Sequence, residues 1–155
     1  MIAIAAHAKG LAIGKKGKLP WHVPEDLRFF KQTTQRYENV VFGRTTFDSF
    51  EGMKLPGRNM YLLSQTSEAY ECAGQFNSIE DVVEFSLHND IVIGGGAKVY
   101  ESFERYIKQF YITRIHKHIE GCDAFLFDYT RSFKCSEVIL ETADFSIELW
   151  VPKCN

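Results

Sequence analysis

The sequence predicts an α/β fold with a parallel sheet and an antiparallel edge. In roughly the first two thirds of the chain, short apolar runs that suit strands alternate with segments of helical spacing. Two of these runs end directly in glycine turns, at Gly43 and at Gly94. The last part of the chain contains only strand-like runs. This order predicts strands first linked through helices and then paired as a hairpin.

The first two elements have clear local signals. Residues 2–6 form an apolar run that predicts a short buried strand. A helix is predicted from Pro24 to about Tyr37, because proline suits the first helical position. Glu25 and Asp26 follow in the first turn, where acids interact favourably with the helix dipole.

The middle of the chain continues the alternation. Apolar and β-branched runs predict strands over residues 40–42, 60–63 and 91–93. Ser78 stands three residues before Asp81, which resembles a capping box and predicts a helix from Ile79 to near Asn89. Apolar residues at helical spacing predict a further helix after Gly96.

The final elements are predicted to be strands. They cover residues 110–116, 135–142 and 145–151. Ala143 and Asp144 separate the last two runs and predict a hairpin turn. The end of the chain therefore supplies the antiparallel edge.

Composition excludes several classes of protein. With 155 residues the chain suits one domain, and its thirteen Phe, seven Tyr and two Trp exclude disorder. The 18 Lys and Arg against 20 Asp and Glu give a net charge of −2, so the basic footprint of a nucleic-acid binder is missing. A small-molecule partner is therefore favoured.

The cysteines and the apolar runs suggest a location. The four cysteines have unrelated spacings without a CxxC pair, which favours reduced thiols over a zinc or disulfide framework. The N-terminus does not resemble a signal peptide, and no run approaches the ~18 apolar residues of a membrane span. We therefore expect a cytoplasmic protein.

Two glycine turns are candidate phosphate sites, because ligands of open α/β sheets bind at the carboxyl ends of strands. The run from Gly94 to Gly96 joins a strand to a helix and lets a pyrophosphate approach the backbone. Arg44, directly after Gly43, has the geometry to bind phosphate oxygens. A tight structural turn and a surface arginine are the alternatives. Together the two turns favour a dinucleotide.

Asp26 is the candidate acid. It is flanked by Leu27, Phe29 and Phe30. Burying a carboxylate without a partner costs on the order of several kcal/mol, because the charge loses its hydration. Two interpretations stay open: Asp26 is a solvated acid of the first turn, or it faces a cationic or amide-like ligand. Glu25 is the natural candidate for the solvated role.

Six motifs in register make the chain resemble bacterial-type dihydrofolate reductase. They are Ile13-Gly14 before Leu19-Pro20-Trp21, Pro24-x-Asp26-Leu27-x-x-Phe30-Lys31, Gly43-Arg44-x-Thr46-Phe47-x-Ser49, Leu55-Pro56-Gly57-Arg58, Gly95-Gly96-x-x-Val99-Tyr100 and Tyr111-x-Thr113. The resemblance implies one domain over residues 1–155, with a mostly parallel sheet of about eight strands, an antiparallel C-terminal hairpin and about four helices.

The resemblance also implies the activity. Members of this family reduce 7,8-dihydrofolate to 5,6,7,8-tetrahydrofolate by hydride transfer from NADPH, which supports one-carbon metabolism and thymidylate synthesis. We accordingly expect an NADPH-dependent oxidoreductase that is a monomer, that uses no metal and that binds neither nucleic acid nor membrane.

Catalytic roles follow from the matching positions. Asp26 matches the acid that orients and polarises the pterin while water delivers the proton. Thr113 matches the threonine that hydrogen-bonds this acid, and Trp21 matches the tryptophan that holds an ordered water. Leu19 ends the segment 9–19, which resembles the mobile loop that closes over nicotinamide.

The same resemblance implies the ligand contacts. The expected substrate residues are Asp26, Thr113, Ile4, Ala5, Leu27, Phe30, Phe50, Leu55, Gly94 and Arg58, the last as the clamp on the glutamate α-carboxylate. The expected cofactor residues are Ala6, Ile13, Gly14, Leu19, Gly43, Arg44, Thr45, Thr46, Leu63, Ser64, Gln65, Gly95, Gly96, Ala97, Lys98, Val99 and Tyr100. Arg44 and Lys98 near the adenosine 2′-phosphate favour NADPH over NADH.

Three positions depart from the family pattern. Gly94 stands where relatives carry a larger aliphatic residue or Ala or Ser, so either the pocket is wider there or a neighbour such as Phe50 fills the space. Gln65 replaces a frequent basic residue, which weakens the 2′-phosphate argument. Ala124 replaces a common threonine.

Two other functions are weighed against the reductase. A pyrimidine reductase of the riboflavin pathway has a similar fold and cofactor, but the Asp26 and Arg58 motifs fit a pterin and a glutamate tail better. A non-catalytic binding module is the alternative outside the enzymes. The intact set of Asp26, Thr113 and Trp21 counts against it.

Overall fold

The computed structural model describes residues 1–66 and 72–154 and is built around a sheet. The strands are β1 (Ile2–His7), β2 (Ala12–Gly14), β3 (Asn39–Gly43), β4 (Asn59–Leu63), β5 (Gly74–Phe76), β6 (Val92–Ile93), β7 (Gln109–Ile115), β8 (Ala124–Phe125), β9 (Phe133–Glu141) and β10 (Phe145–Pro152). Eight of them form the main sheet in the order β5-β4-β3-β6-β1-β7-β10-β9, while β2 and β8 form a separate ribbon.

The main sheet is parallel from β5 to β7 and antiparallel only where β10 pairs with β7 and β9. The α-helices are α1 (Pro24–Tyr37), α2 (Arg44–Ser49), α3 (Ile79–Ser86) and α4 (Ala97–Ser102). The expected fold class is confirmed.

Helix starts follow the local signals. Pro24 occupies the first turn of α1, with Glu25 and Asp26 beside it. At α3 the Ser78 hydroxyl accepts a hydrogen bond of 3.1 Å from the backbone N–H of Asp81, which satisfies one of the free donors at the helix start. This helix ends at Ser86, three residues before the predicted end.

Apolar residues pack on both faces of the sheet because successive side chains of a strand point to opposite sides. On one face, Val41 belongs to a large cluster with strand and helix residues of the C-terminal half. On the other face, Val40 and Phe42 pack with Phe47, Met60 and Leu62. This second cluster packs β3 against β4, and its member Phe42 also lines the cleft described below.

The segment between β1 and α1 is held at several points. Lys15 and Lys18 pair across Lys16 and Gly17, whose φ values of 51° and 78° suit a two-residue hairpin turn. The Lys16 backbone N–H donates to Asp123 Oδ2 at 3.2 Å. Whether the segment moves on ligand binding stays a prediction. Within residues 1–66 and 72–154, no helix is both long and apolar enough to cross a membrane.

Candidate active site

An apolar cleft opens where β1, β3 and β6 end. The switch in strand order lies here, because β1 pairs with β6 on one side and with β7 on the other. The cleft is lined by Ile4, Ala5, Ala6, Ile13, Leu19, Asp26, Leu27, Phe30, Phe42, Thr46, Ser49, Phe50, Gly94, Gly95, Gly96 and Tyr100. Asp26 is the one ionisable acid in this set.

Two glycine turns interlock at the edge of the cleft. The backbone N–H of Gly43 donates to the carbonyl of Gly95 at 2.7 Å. A Cβ at Gly43 would lie 2.6 Å from Cγ2 of Val99, so no side chain fits between the two turns. Gly95 has a φ of 117°, which favours glycine, and its peptide bond to Gly96 is cis. Gly95 and Gly96 line the cleft with backbone atoms alone, whereas Gly43 does not line it.

Asp26 is buried in the first turn of α1 and lines the cleft. Burial raises the pKa of its carboxyl group, and a side-chain hydrogen bond with Thr113 opposes that rise only in part. In the described part of the chain no cation pairs with it. Glu25 beside it is exposed. Of the two interpretations of Asp26, the geometry favours the acid that faces a ligand.

Tyr100 lines the cleft, whereas Trp21 is not among its lining residues and packs against a separate cluster that includes Ala12 and Ile147. The Tyr100 hydroxyl donates to the carbonyl of Ile4 at 2.6 Å. Burial, with a smaller effect of the Asp26 charge, raises the pKa of Tyr100, so this hydroxyl stays a neutral donor. The Nε1–H of Trp21 is buried and meets no acceptor among the described residues.

Most of the expected substrate residues converge on the cleft, and three do not line it. Thr113 is 1% exposed and reaches the cleft only through Asp26. Leu55 packs behind the cleft against the second core cluster. Arg58 Nη1 donates to Thr34 Oγ1 at 3.1 Å, and burial lowers the pKa of Arg58. Its guanidinium is thereby held against α1.

The expected cofactor residues form two groups. Those lining the cleft are Ala6, Ile13, Leu19, Thr46, Gly95, Gly96 and Tyr100. Outside its lining lie Gly14, Gly43, Arg44, Thr45, Leu63, Ser64, Gln65, Ala97, Lys98 and Val99, all except Gly14 at the ends of β3 and β4 or the starts of α2 and α4. Arg44 and Lys98 are both exposed there. Arg44 Nε lies 3.9 Å from Asp48 Oδ2.

Phe42 and Ser49 also line the cleft, although the sequence did not single them out as site residues. A Cβ at Gly94 would lie 2.5 Å from Cε1 of Phe42. The space beside Gly94 is therefore filled by a neighbour, which is Phe42 and not Phe50. A strand pattern places Phe42 in the core, and only the pairing of β3 with β6 brings it beside Gly94.

The fold and the cleft define a class of enzyme. A parallel sheet with two glycine turns beside an apolar cleft that holds one buried acid suits a nucleotide cofactor next to a flat organic substrate. Within residues 1–66 and 72–154, no cluster of three or more His, Cys, Asp or Glu side chains is arranged to hold a metal ion.

Comparisons with known proteins identify the family. A model of the dihydrofolate reductase family matches residues 1–146. The chain is 38% identical to dihydrofolate reductase of Buchnera aphidicola subsp. Acyrthosiphon pisum over 127 residues, which are 81% of this chain and 78% of that one. It is 36% identical to the Staphylococcus aureus enzyme over 128 residues, or 82% and 77% of the two chains. This chain belongs to the dihydrofolate reductase family.

A solved structure is also similar. Dihydrofolate reductase from Enterococcus faecalis, in complex with NADP(H) and RAB-propyl, superposes with a TM-score of 0.88 at 30% identity, covering 99% of this chain and 96% of that one. The expected family, the NADPH-dependent oxidoreductase class and the NADPH cofactor are confirmed.

Proposed function

We propose that this enzyme reduces 7,8-dihydrofolate to 5,6,7,8-tetrahydrofolate, and that Asp26 orients and polarises the pterin while water delivers the proton. The observation that carries the proposal is the Asp26 carboxyl group. It is buried in an apolar cleft, and within residues 1–66 and 72–154 it has one hydroxyl partner and no cation. Such a group gains most from a ligand that brings its own N–H donors, as the amidine-like edge of a pterin does.

The wall of the cleft supports a flat ring system beside Asp26. Leu27, Phe30 and Phe50 present apolar surface, and Leu27 is 45% exposed although it is apolar. Exposed apolar side chains at a cleft mouth are typical of a ligand site. We place the pterin and its benzoyl group against this wall. Arg58 is the proposed partner of the glutamate α-carboxylate.

The residues around the glycine turns fit NADPH. Side chains are missing at Gly95 and Gly96, so a flat ring or a phosphate can approach the backbone. Arg44 and Lys98 are exposed cations at the starts of α2 and α4, and we assign them to the phosphate groups. When bound, NADPH supplies the hydride for the substrate. The protein's task is to hold both rings and exclude water.

Trp21 is the proposed anchor for the proton-donating water. A buried N–H costs free energy unless it finds an acceptor. The Trp21 Nε1–H has none among the described residues, and Trp21 lies in the segment leading to α1. A water accepting from this group lies on the Asp26 side of the cleft in our proposal. Thr113 keeps Asp26 oriented toward the ring.

The proposal includes the setting of the enzyme. We infer that residues 1–155 act as one domain, as a monomer in the cytoplasm. The four cysteines are unpaired, which agrees with a reducing compartment. Light scattering of the purified protein at micromolar concentration tests the monomer, and a mass near twice 17.8 kDa contradicts it.

Loss of NADPH absorbance on addition of dihydrofolate tests the function. Turnover by the wild type and a large loss in the Asp26→Asn variant support the proposal. NADPH oxidation with a riboflavin-pathway pyrimidine, and none with dihydrofolate, establishes the pyrimidine reductase instead. Tight binding of NADPH and folate without oxidation of any substrate establishes the binding module.

A further inference from the structure

Phe42 and Gly94 lie on neighbouring strands at the carboxyl end of the sheet. Val41 pairs with Ile93 in the parallel ladder of β3 and β6, so the following residues stand side by side. Phe42 is 1% exposed, and both residues line the cleft. The Phe42 ring therefore lies between the hydrophobic core and the cleft.

The ring occupies the volume that a side chain at residue 94 needs. A Cβ built on Gly94 lies 2.5 Å from Cε1 and 2.9 Å from Cδ1 of Phe42, and 3.0 Å from Cγ1 of Val40. Two of these distances are shorter than real Cβ contacts ever are. The close atoms come from two strand residues, so relief requires the ring itself to move.

Phe50 limits that movement. The Phe42 and Phe50 rings meet edge to face, with centroids 5.0 Å apart and an interplanar angle of 64°. Phe50 belongs to the proposed wall of the substrate pocket. A shift of the Phe42 ring away from residue 94 is therefore transmitted to the wall that a ligand contacts.

We propose that Phe42 and Gly94 are a matched pair that sets the shape of the cleft for the substrate ring, which makes Phe42 a specificity-determining residue. This inference rests on the proposed function. A large residue at 42 requires glycine at 94, and the missing side chain at 94 brings the ligand ring onto the backbone of β6. Phe42 in turn supports Phe50 at the ligand.

The test is a cycle of four proteins: wild type, Gly94→Ala, Phe42→Met and the double variant. Met is flexible and leaves room for a Cβ at 94. Phe133→Met is the matched control, because Phe133 is also 1% exposed and does not line the cleft. Melting temperatures and dissociation constants for folate and for NADPH are measured for each protein.

We expect Gly94→Ala to lower the melting temperature by about 5 °C, since overpacking a core is destabilising. Its folate dissociation constant rises by about 10-fold, the loss expected when one well-packed contact is disturbed. The double variant should melt at a higher temperature than the two single decreases added together predict. Its folate dissociation constant should return to within about 3-fold of the wild-type value. Phe133→Met lowers stability without changing folate binding.

The proposal of a matched pair is overturned if the changes in melting temperature of the two single variants simply add in the double variant. It is also overturned if Gly94→Ala binds folate as tightly as wild type does. If wild type neither binds folate nor oxidises NADPH with dihydrofolate, the proposed function fails. Coupling in the melting temperatures then still decides whether the two residues are matched, because it needs no ligand.

Discussion

Asp26 and Glu148 are both buried acids, 8% and 7% exposed, yet their surroundings differ. Glu148 on β10 accepts hydrogen bonds from Ser146 Oγ at 2.7 Å and from Trp150 Nε1 at 2.8 Å, and its Oε1 lies 3.7 Å from Arg114 Nη1. Among the residues that the structure describes, Asp26 at the start of α1 has the Thr113 side chain as its one side-chain partner.

We infer from this difference that Glu148 has a structural role and that Asp26 has a functional one. A buried carboxylate with several donors and a cation has regained most of the interactions that it lost with water. One with a single hydroxyl partner has not, and burial raises its pKa. Glu148 has its hydrogen-bond donors and a nearby cation within the protein itself. Asp26 lines the cleft and Glu148 does not, and in the proposed function a ligand supplies the partners that Asp26 lacks.

The largest effect is expected for activity on loss of the Asp26 charge. Asp26→Asn keeps the size of the side chain but cannot form the ionised partner of the pterin. We predict a fall in kcat/KM for dihydrofolate of about 10²–10⁴-fold, the usual contribution of acid–base groups. Steady-state NADPH oxidation measures it.

The matched control is Glu148→Gln, an equally buried acid made neutral. It should retain kcat/KM within about 3-fold, because Glu148 does not line the cleft. Equal losses in the two variants would show that burial of an acid, and not its place at the cleft, matters for turnover.

The second largest effect is expected at Glu148, and it concerns the stability of the protein instead of its activity. Glu148→Ala leaves the Ser146 hydroxyl and the Trp150 N–H without their acceptor, and we predict a loss of about 3 kcal/mol in the free energy of unfolding. Urea denaturation measures it. Glu137→Ala removes an exposed acid of the neighbouring strand and should cost less than about 0.5 kcal/mol. Similar losses in both variants would contradict the structural role of Glu148.

A third prediction concerns how Asp26 makes the stability of the protein depend on pH. Because its native pKa lies above the ordinary 3.8, the folded protein binds this proton more tightly than the unfolded chain. The stability that this gives is present below pH 3.8 and is lost as pH rises through the native pKa. Asp26→Asn should therefore be more stable than wild type at pH 7, on the order of 1 kcal/mol.

Urea melts of both proteins at several pH values check the sign. The advantage of Asp26→Asn should shrink toward acid pH. An advantage that grows toward acid pH would mean that the native protein stabilises the ionised carboxylate.

The smallest effect is expected at His7, a buried residue on β1. Its Nδ1 lies 2.8 Å from the carbonyl of Ala8 and its Nε2 lies 2.8 Å from the Tyr129 hydroxyl, so donation from Nδ1–H makes Nε2 the acceptor. Burial lowers the pKa of His7. As pH falls below its ordinary 6.5, the unfolded chain takes up a proton that the native protein resists, and stability decreases.

His7→Gln removes that titration, so its stability should change less than that of wild type between pH 7 and pH 5. Thermal melts over this range measure the difference, with His118→Gln as the exposed control. Parallel curves for wild type and His7→Gln would show that His7 does not resist protonation.

Local signals allowed part of the fold to be predicted. Pro24 with its two acids predicts the start of α1, and Ser78 predicts that of α3. The six-residue α2, the three-residue β5 and the ribbon of β2 and β8 were not predicted. These elements are too short to carry a period, and their pairing partners are distant in the chain.

The site was predictable to a different degree. The family motifs point to Asp26 and to its hydrogen-bond partner Thr113, but the burial of Asp26 follows from the packing of distant segments, and β7 brings Thr113 to it. Phe42 was not predicted as a site residue, because its place in the cleft depends on the neighbouring strand that carries Gly94. The available signal was Gly94, because the family resemblance implies a larger residue there and a missing side chain requires a compensating neighbour.

The most direct test of the account is a carbon-13 NMR titration of the Asp26 carboxyl group, assigned by its absence in Asp26→Asn. In the free enzyme we predict a pKa above the ordinary 3.8, because burial outweighs the Thr113 hydrogen bond. Binding of folate, which donates to the carboxylate, should lower that pKa. A pKa at or below 3.8 in the free enzyme, or no change with folate, would contradict an acid that a ligand completes.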